Sequence, residues 1–120
     1  MMAFFWVFLG GGLGSICRYG IGLLLQPYKL QFPYATLIAN AISCVILGIL
    51  IGLSLKNQLH QRMQLLLMTG FCGGFSTFST FSSETFLLFE QGQLNAAFFN
   101  IFGSVIIGLI GIYFGLKLVH

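Results

Sequence analysis

The residues from Gly70 to Glu84, GFCGGFSTFSTFSSE, restrict the possible fold of this chain more than any other segment. They combine three glycines and six serine or threonine hydroxyls with phenylalanines and one carboxylate, within an otherwise strongly apolar chain. Bare backbone and closely spaced hydroxyls need hydrogen-bonding partners that hydrocarbon cannot supply. The segment is therefore expected to line a polar path rather than to face lipid.

The composition of the chain indicates a membrane protein. Hydrophobic residues make up 58% of the 120 residues and charged residues only 6%, whereas soluble domains carry about 25% charged residues. The mean hydropathy is +0.98. The net charge of +3 arises from basic residues that lie mostly at the ends of apolar segments, where such side chains meet lipid headgroups. We therefore expect membrane lipid around the chain, and nothing in the charge pattern indicates a nucleic-acid partner.

Four apolar segments are long enough to form membrane-spanning helices of about 20 residues each. They cover residues 3–25, 34–55, 64–89 and 95–116. The third segment exceeds a straight crossing, and its glycines predict a break at Gly73–Gly74. The short loops predict that consecutive helices are antiparallel neighbours. The sequence thus predicts an all-α integral membrane protein, one transmembrane domain over residues 1–120, with four helices and a broken third helix.

Pairs of glycines four residues apart indicate where helices approach one another closely. These pairs are Gly10 and Gly14, Gly48 and Gly52, and Gly111 and Gly115. Four short helices cannot enclose a pore and also bury all of these faces. We therefore expect a dimer or a larger assembly, with a site that two subunits can share.

The basic residues give the chain only a weak preference for one orientation in the membrane. With four spans, one side of the membrane collects Lys56, Arg62 and Lys117, and the other collects Lys29 and Arg18. This is a small bias under the rule that positive residues stay in the cytoplasm. Insertion in both orientations would allow an antiparallel, dual-topology dimer, in which a second chain supplies the inverted repeat that other transporters carry internally.

Two stripes of polar residues run along the second and third apolar segments. The first consists of Thr36, Asn40 and Ser43, and the second of Thr77, Thr80 and Glu84 with Ser79 beside it. An amide at membrane depth must be hydrogen-bonded, and both a neighbouring helix and a passing ion remain open as the partner of Asn40. Two stripes in one small bundle favour a wetted path over two separate sets of interhelical hydrogen bonds.

Phe78 and Phe81 lie three residues apart and alternate with the hydroxyls of the second stripe. Such residues can simply fill core or lipid-facing space. Their position beside the stripe favours a role in the path, because aromatic ring edges are partially positive and attract anions. A narrow path lined by ring edges and by hydroxyl or amide donors would select a small, dehydrated anion.

The same residues resemble those of a known family. The segment described above, together with GGGLGSICRYG at residues 10–20 and FPYATLIANAISCVILG at 32–48, resembles the Fluc/CrcB family of fluoride channels over essentially the whole chain. The resemblance implies a dual-topology dimer of four-helix subunits with two antiparallel pores. It also implies that fluoride leaves the cytoplasm passively across the bacterial inner membrane, which lowers its toxicity. The second subunit could be another copy of this chain or a paralogous chain.

The resemblance further implies which residues contact the ions. The residues of the fluoride pore would be Asn40, Phe78, Ser79, Thr80, Phe81 and Asn100. Phe78 and Phe81 would form the filter, while Asn100 stands where relatives often carry a pore-facing tyrosine. A structural sodium ion at the dimer interface would be bound by the backbone carbonyls of Gly73 and Ser76. Two inverted copies would offer four such oxygens, and serine in place of the usual threonine leaves a main-chain ligand intact.

Two other classes of protein fit part of the sequence. A small multidrug-resistance exporter has a similar size, but its proton coupling needs a carboxylate in the first span, and residues 3–25 contain none. A non-conducting structural or partner subunit of a heterodimeric channel would explain the glycine faces but not the two polar stripes. The sequence shows no recognisable nucleophile, acid–base pair or metal cluster, so an enzyme is not expected. Arg18 could attract anions or reach lipid headgroups, and Glu84 is expected to be paired or marginal to the path.

Overall fold

The computed structural model describes residues 2–29 and 32–119, and within these residues it contains helices and no strand. The helices are α1 (Met2–Leu25), α2 (Tyr34–Leu55), α3 (residues 61–75), α4 (Phe78–Glu90) and α5 (Leu94–Val119). A 3-10 turn at Gln26–Tyr28 follows α1. Most of α3 is wound as a π-helix, over Gln64–Cys72, between short α-helical turns. Such π-helical windings are rare and are frequent at functional sites.

Among residues 2–29 and 32–119, three helical stretches are long and apolar enough to cross a membrane. They are Met2–Tyr28, Tyr34–Leu55 and Leu94–Val119. Large apolar side chains cover the outside of the bundle, including Phe4, Phe8 and Leu118. In water such a surface would be unfavourable, whereas lipid solvates it. The helical, apolar architecture is that of a membrane protein.

The third apolar segment is interrupted at Ser76 and Thr77, and not at Gly73–Gly74, where the sequence predicted a break. Ser76 (φ −93°, ψ 157°) and Thr77 (φ −155°, ψ 127°) are extended, whereas Gly73 (φ −64°, ψ −37°) remains helical. The Thr77 hydroxyl caps α4 by accepting a hydrogen bond of 3.4 Å from the Thr80 amide. Hydroxyl side chains stabilise such a helix start, so the interruption lies where a cap is available.

The predicted close approach of helices at the glycine pairs is confirmed. α1 packs on α3, where a Cβ atom added to Gly10 would lie 3.0 Å from the Gly70 Cα. α2 packs on α5, where a Cβ atom added to Gly48 would lie 3.0 Å from the Gly115 Cα. A side chain at these positions would push the helices apart.

These contacts join α1 with α3 and α2 with α5, and the consecutive helices α1 and α2, α2 and α3, and α4 and α5 touch as well. Along α1 and α3 the contact moves from Gly10 against Gly70 to Gly14 against Phe75. Residue numbers therefore rise together, and the two helices run parallel. The α2–α5 pair is parallel in the same sense. Short loops set the direction of successive helices, and the glycine faces decide which helices approach most closely.

Candidate ion pathway

A cavity of 270 Å³ lies where α2, α5 and the interruption between α3 and α4 meet. Its polar and aromatic lining includes Asn40, Ser76, Thr77, Phe78, Phe81 and Ser104. Three of the residues that the sequence placed in a pore, Asn40, Phe78 and Phe81, therefore border one space. The interruption matters here, because it brings the start of α4 and its side chains against α2.

Asn40 bonds the interrupted segment and also lines this cavity. Its Oδ1 accepts a hydrogen bond of 3.2 Å from the Thr77 backbone amide. Because a backbone N–H can only donate, the oxygen of the Asn40 amide must face Thr77, and this fixes the orientation of the side chain. The NH₂ group has no protein partner within the described residues. It is therefore available to donate hydrogen bonds to an anion.

Phe78 and Phe81 form the aromatic part of the cavity wall. Their ring centroids are 6.0 Å apart and their planes are inclined by 40°. Phe78 is 80% exposed in the single chain, while Phe81 is half-buried. The edge of an aromatic ring is partially positive, and both rings border the same cavity. An anion that loses water in this cavity could therefore meet ring edges and an amide donor together.

Thr80 points to a different space, a cavity of 380 Å³ between α1, α2 and α4 that it shares with Arg18, Thr36 and Glu84. The Glu84 carboxyl lies beside the Thr36 hydroxyl. Its Oε1 is buried and has no hydrogen bond within the described residues. This second cavity contains both a cationic and an anionic side chain, so its electrostatics differ from those of the aromatic cavity.

Arg18 binds the main chain close to the interruption. Its Nε donates a hydrogen bond of 3.1 Å to the Gly74 carbonyl. A cation at the carboxyl end of a helix is favourable because the last carbonyls lack helical partners. Neither interpretation of Arg18 from the sequence, anion attraction or contact with headgroups, foresaw this bond.

The carbonyls around the interruption differ in how they are bonded. The Cys72 carbonyl accepts from the Ser76 amide at 3.1 Å, the Ser76 hydroxyl at 2.7 Å and the Ser43 hydroxyl at 3.3 Å. Within the described residues, the Gly73 and Ser76 carbonyls accept no hydrogen bond. No cluster of His, Cys, Asp or Glu side chains there could hold a metal ion. A cation near the interruption would therefore rest on carbonyl oxygens.

Two other residues that the sequence placed in the pore lie outside both cavities. Ser79 is exposed, and its hydroxyl lies 3.2 Å from the Thr77 hydroxyl. Asn100 is only 2% exposed and is enclosed between α4 and α5. Its Nδ2 donates a hydrogen bond of 2.8 Å to the Thr85 hydroxyl, and its Oδ1 accepts one of 3.3 Å from Ser104.

Thr85 and Ser104 were missed by the sequence analysis. A signal for both was present, since Ser104 follows Asn100 by four residues and Thr85 follows Phe81 by four. Residues at this spacing share one face of a helix. These isolated polar groups are a weaker sequence signal than the dense hydroxyls of residues 76–83.

Comparison with known proteins gives a consistent result. The family described as "CrcB-like protein, Camphor Resistance (CrcB)" matches residues 5–116. A protein of Flavobacterium psychrophilum, named fluoride-specific ion channel FluC, is 40% identical over 97% of this chain and 95% of its own length. Proteins with the same name from Pyrococcus abyssi and Thermus thermophilus are 44% and 41% identical. These alignments cover 89% and 93% of this chain, and 87% and 90% of the relatives.

Proposed function

Because this chain belongs to the CrcB family, whose relatives carry the name of fluoride-specific ion channels, we infer that it conducts fluoride passively across a membrane. It is a channel and not an enzyme. Export of fluoride from a bacterial cytoplasm across the inner membrane would lower its toxicity there.

The observation that carries this proposal is the joint position of Asn40, Phe78 and Phe81 around one cavity. The Asn40 NH₂ group offers hydrogen bonds, and the rings offer positive edges that partly replace the hydration shell of a small anion. A larger anion would keep fewer of these contacts in the same space. The arrangement therefore supports selectivity for fluoride over chloride.

We propose that the remaining polar residues extend the path on either side of the aromatic cavity. Thr80 would line a vestibule, the cavity that it shares with Arg18 and Thr36. Ser79 is exposed in the single chain, so it would reach the ion only where a partner subunit completes the path. Four crossings of the membrane, by α1, α2, α5 and the pair of α3 and α4, complete the proposed subunit.

An antiparallel dimer with a central sodium ion is proposed for the assembly. The support is local: within the part of the chain that the structure describes, the Gly73 and Ser76 carbonyls accept no hydrogen bond, and no atom of another segment lies within 4 Å of a Cβ atom added to Gly73. Free carbonyls at membrane depth need a donor or a cation. Sodium bound by these oxygens from two inverted subunits would satisfy them.

The test of the function is ion efflux from liposomes that contain the purified chain alone. We expect fluoride to leave rapidly, without a proton gradient, and chloride to leave far more slowly. Equal fluxes of the two anions would contradict the proposed selectivity. A strict requirement for a proton gradient would favour the exporter, and an inert chain that conducts only with a second protein would favour the partner subunit.

A further inference from the structure

A chain of three side-chain hydrogen bonds joins α4 to α5 next to the aromatic cavity. The Thr85 hydroxyl lies 2.7 Å from the Phe81 carbonyl, Asn100 Nδ2 lies 2.8 Å from the Thr85 hydroxyl, and the Ser104 hydroxyl lies 3.3 Å from Asn100 Oδ1. Thr85 is 6% exposed and Asn100 is 2% exposed. Neither residue lines the cavity, whereas Phe81 and Ser104 both do.

The direction of all three hydrogen bonds follows from the first one, between the Thr85 hydroxyl and the Phe81 carbonyl. The Phe81 carbonyl can only accept, so the Thr85 hydroxyl gives it its proton. The Thr85 oxygen must then accept from the NH₂ group of Asn100. This orientation leaves Asn100 Oδ1 facing Ser104, and an amide oxygen can only accept. The proton of the Ser104 hydroxyl is therefore directed towards Asn100.

This direction has a consequence for an anion in the cavity. A hydroxyl has one proton, and fluoride can bind only to that proton. While the chain of bonds is intact, Ser104 presents oxygen lone pairs to the cavity and repels an anion. Ser104 can bind fluoride only by turning its proton away from Asn100. The bond that must open is the longest of the three, at 3.3 Å.

We propose that Asn100 is a positioning residue that withholds the Ser104 proton from the passing ion and so keeps fluoride binding at this point weak. The proposal rests on the inferred fluoride conduction. Asn100 acts through Ser104, and Thr85 acts through Asn100, without contact between either residue and the ion. Weak binding serves a channel, because an ion that is held tightly leaves slowly.

The first experiment uses the matched pair Thr85→Val and Thr85→Ser, because valine has nearly the shape of threonine without its hydroxyl. In Thr85→Val the amide of Asn100 is free to turn its NH₂ group towards Ser104, whose proton then faces the cavity. Initial fluoride efflux is measured over a range of fluoride concentrations. We expect the half-saturating concentration and the maximal rate to fall together in Thr85→Val, each by about fivefold, the factor that one ordinary hydrogen bond contributes. Thr85→Ser should behave as the wild type.

The second experiment removes the acceptor itself by Asn100→Leu. The same fall in half-saturating concentration is expected, and it should disappear in Asn100→Leu combined with Ser104→Ala, since the released proton is then absent. Asn95→Leu is the control, because it removes an exposed amide from the same helix outside the chain of bonds. If Asn100→Leu does not fold, the comparison of Thr85→Val with Thr85→Ser tests the proposed role of Asn100.

Three results would overturn the proposal. One is a folded Thr85→Val variant with wild-type concentration dependence. Another is a lower maximal rate at an unchanged half-saturating concentration, which indicates a purely structural role. The third is persistence of the shift in the variant that also lacks Ser104. Wild-type liposomes without any fluoride efflux would instead refute the proposed function itself, and this inference with it.

Discussion

The two polar atoms of the Asn40 amide have separate surroundings. The oxygen accepts from the Thr77 amide, while the side chain also borders the aromatic cavity. The sequence presented a bond to a neighbouring segment and a place beside the path as alternatives. Both can hold at once because an amide carries an acceptor and a donor on opposite sides.

Substitution of Asn40 by aspartate should separate these two tasks. Asn40→Asp keeps an oxygen for the Thr77 amide, so thermal stability in detergent should stay near that of the wild type. The added negative charge faces the cavity and should lower fluoride efflux by at least about tenfold, the effect of about 1.4 kcal/mol of repulsion. Asn40→Leu leaves the Thr77 amide unpaired and should cost about 1–3 kcal/mol of stability. Wild-type efflux through Asn40→Asp would contradict the assignment.

The aromatic wall can be tested by substitutions that keep bulk but remove ring edges. Phe78→Ile and Phe81→Ile should each lower fluoride efflux by about tenfold or more, because an aliphatic group does not attract an anion. Phe86→Ile is the matched control, since Phe86 is an exposed ring on the same helix and lies outside the cavity. If the Phe78 and Phe81 variants fold and conduct like the Phe86 variant, these rings only fill space.

At the scale of helices, glycine proved an ambiguous signal. Gly73 and Gly74 suggested a break, yet both are helical, and a Cβ atom added to Gly74 would collide with the main chain of Gly11. Glycine serves either an unusual backbone conformation or a close helix contact, and sequence alone does not distinguish them. The hydroxyls of Ser76 and Thr77 were the better guide to the interruption, because Thr77 caps the start of α4 and Ser76 bonds the Cys72 carbonyl near the end of α3.

The contact between α2 and α5 should be far less tolerant than other parts of α5. A Cβ atom added to Gly115 would lie 2.8 Å from the Ile49 amide nitrogen, whereas one added to Gly103 would approach only the Phe99 ring, at 3.7 Å. Gly115→Ala should therefore lower the unfolding free energy by about 1–3 kcal/mol. Gly103→Ala should change it by less than about 1 kcal/mol. Thermal unfolding in detergent measures both, and equal stabilities would contradict the packing described here.

For the whole molecule, the residues that line the aromatic cavity were easier to predict than the surroundings of the other polar residues. Asn40, Phe78 and Phe81 border one space, and their types and spacing pointed to it. Thr80 faces another cavity and Asn100 is enclosed between helices. Two extended residues before α4 reset the rotation of that helix relative to α2 and α5. The spacing of polar residues along one apolar segment therefore could not predict which neighbouring helix each polar stripe would face.

The proposed dual topology predicts that orientation can be fixed by added charge. Gln58→Arg with Gln61→Arg adds positive charge at one end of the bundle, and Tyr28→Arg with Gln91→Arg adds it at the other. Since all subunits of one variant would insert the same way, each variant alone should lose fluoride efflux from cells. Co-expression of the two should restore it. Full activity of either variant alone would exclude an obligatory antiparallel dimer, and Gln58→Asn with Gln61→Asn serves as the uncharged control.

The proposed sodium site predicts a stability that depends on the cation. Replacement of sodium by a large organic cation should lower the dissociation temperature of the purified dimer, since ligands stabilise the state that binds them. Ser76→Ala should keep this dependence, because the proposed ligand is the main-chain oxygen. Gly73→Val should abolish it by blocking the approach of a partner. A dimer of the unaltered chain that is equally stable with and without sodium would refute the site.

The parallel pairing of α1 with α3 and of α2 with α5 determines when the fold can form during synthesis. The ribosome makes residues 26–60 between the first pair and residues 56–93 between the second. Until α3 and α5 have been made, the groove on α1 at Gly10 and the groove on α2 at Gly48, in which these helices pack, are open to lipid. A nascent chain that has reached only Leu55 carries both grooves unfilled. The pairing is therefore completed only when α5, the last helix, has been made.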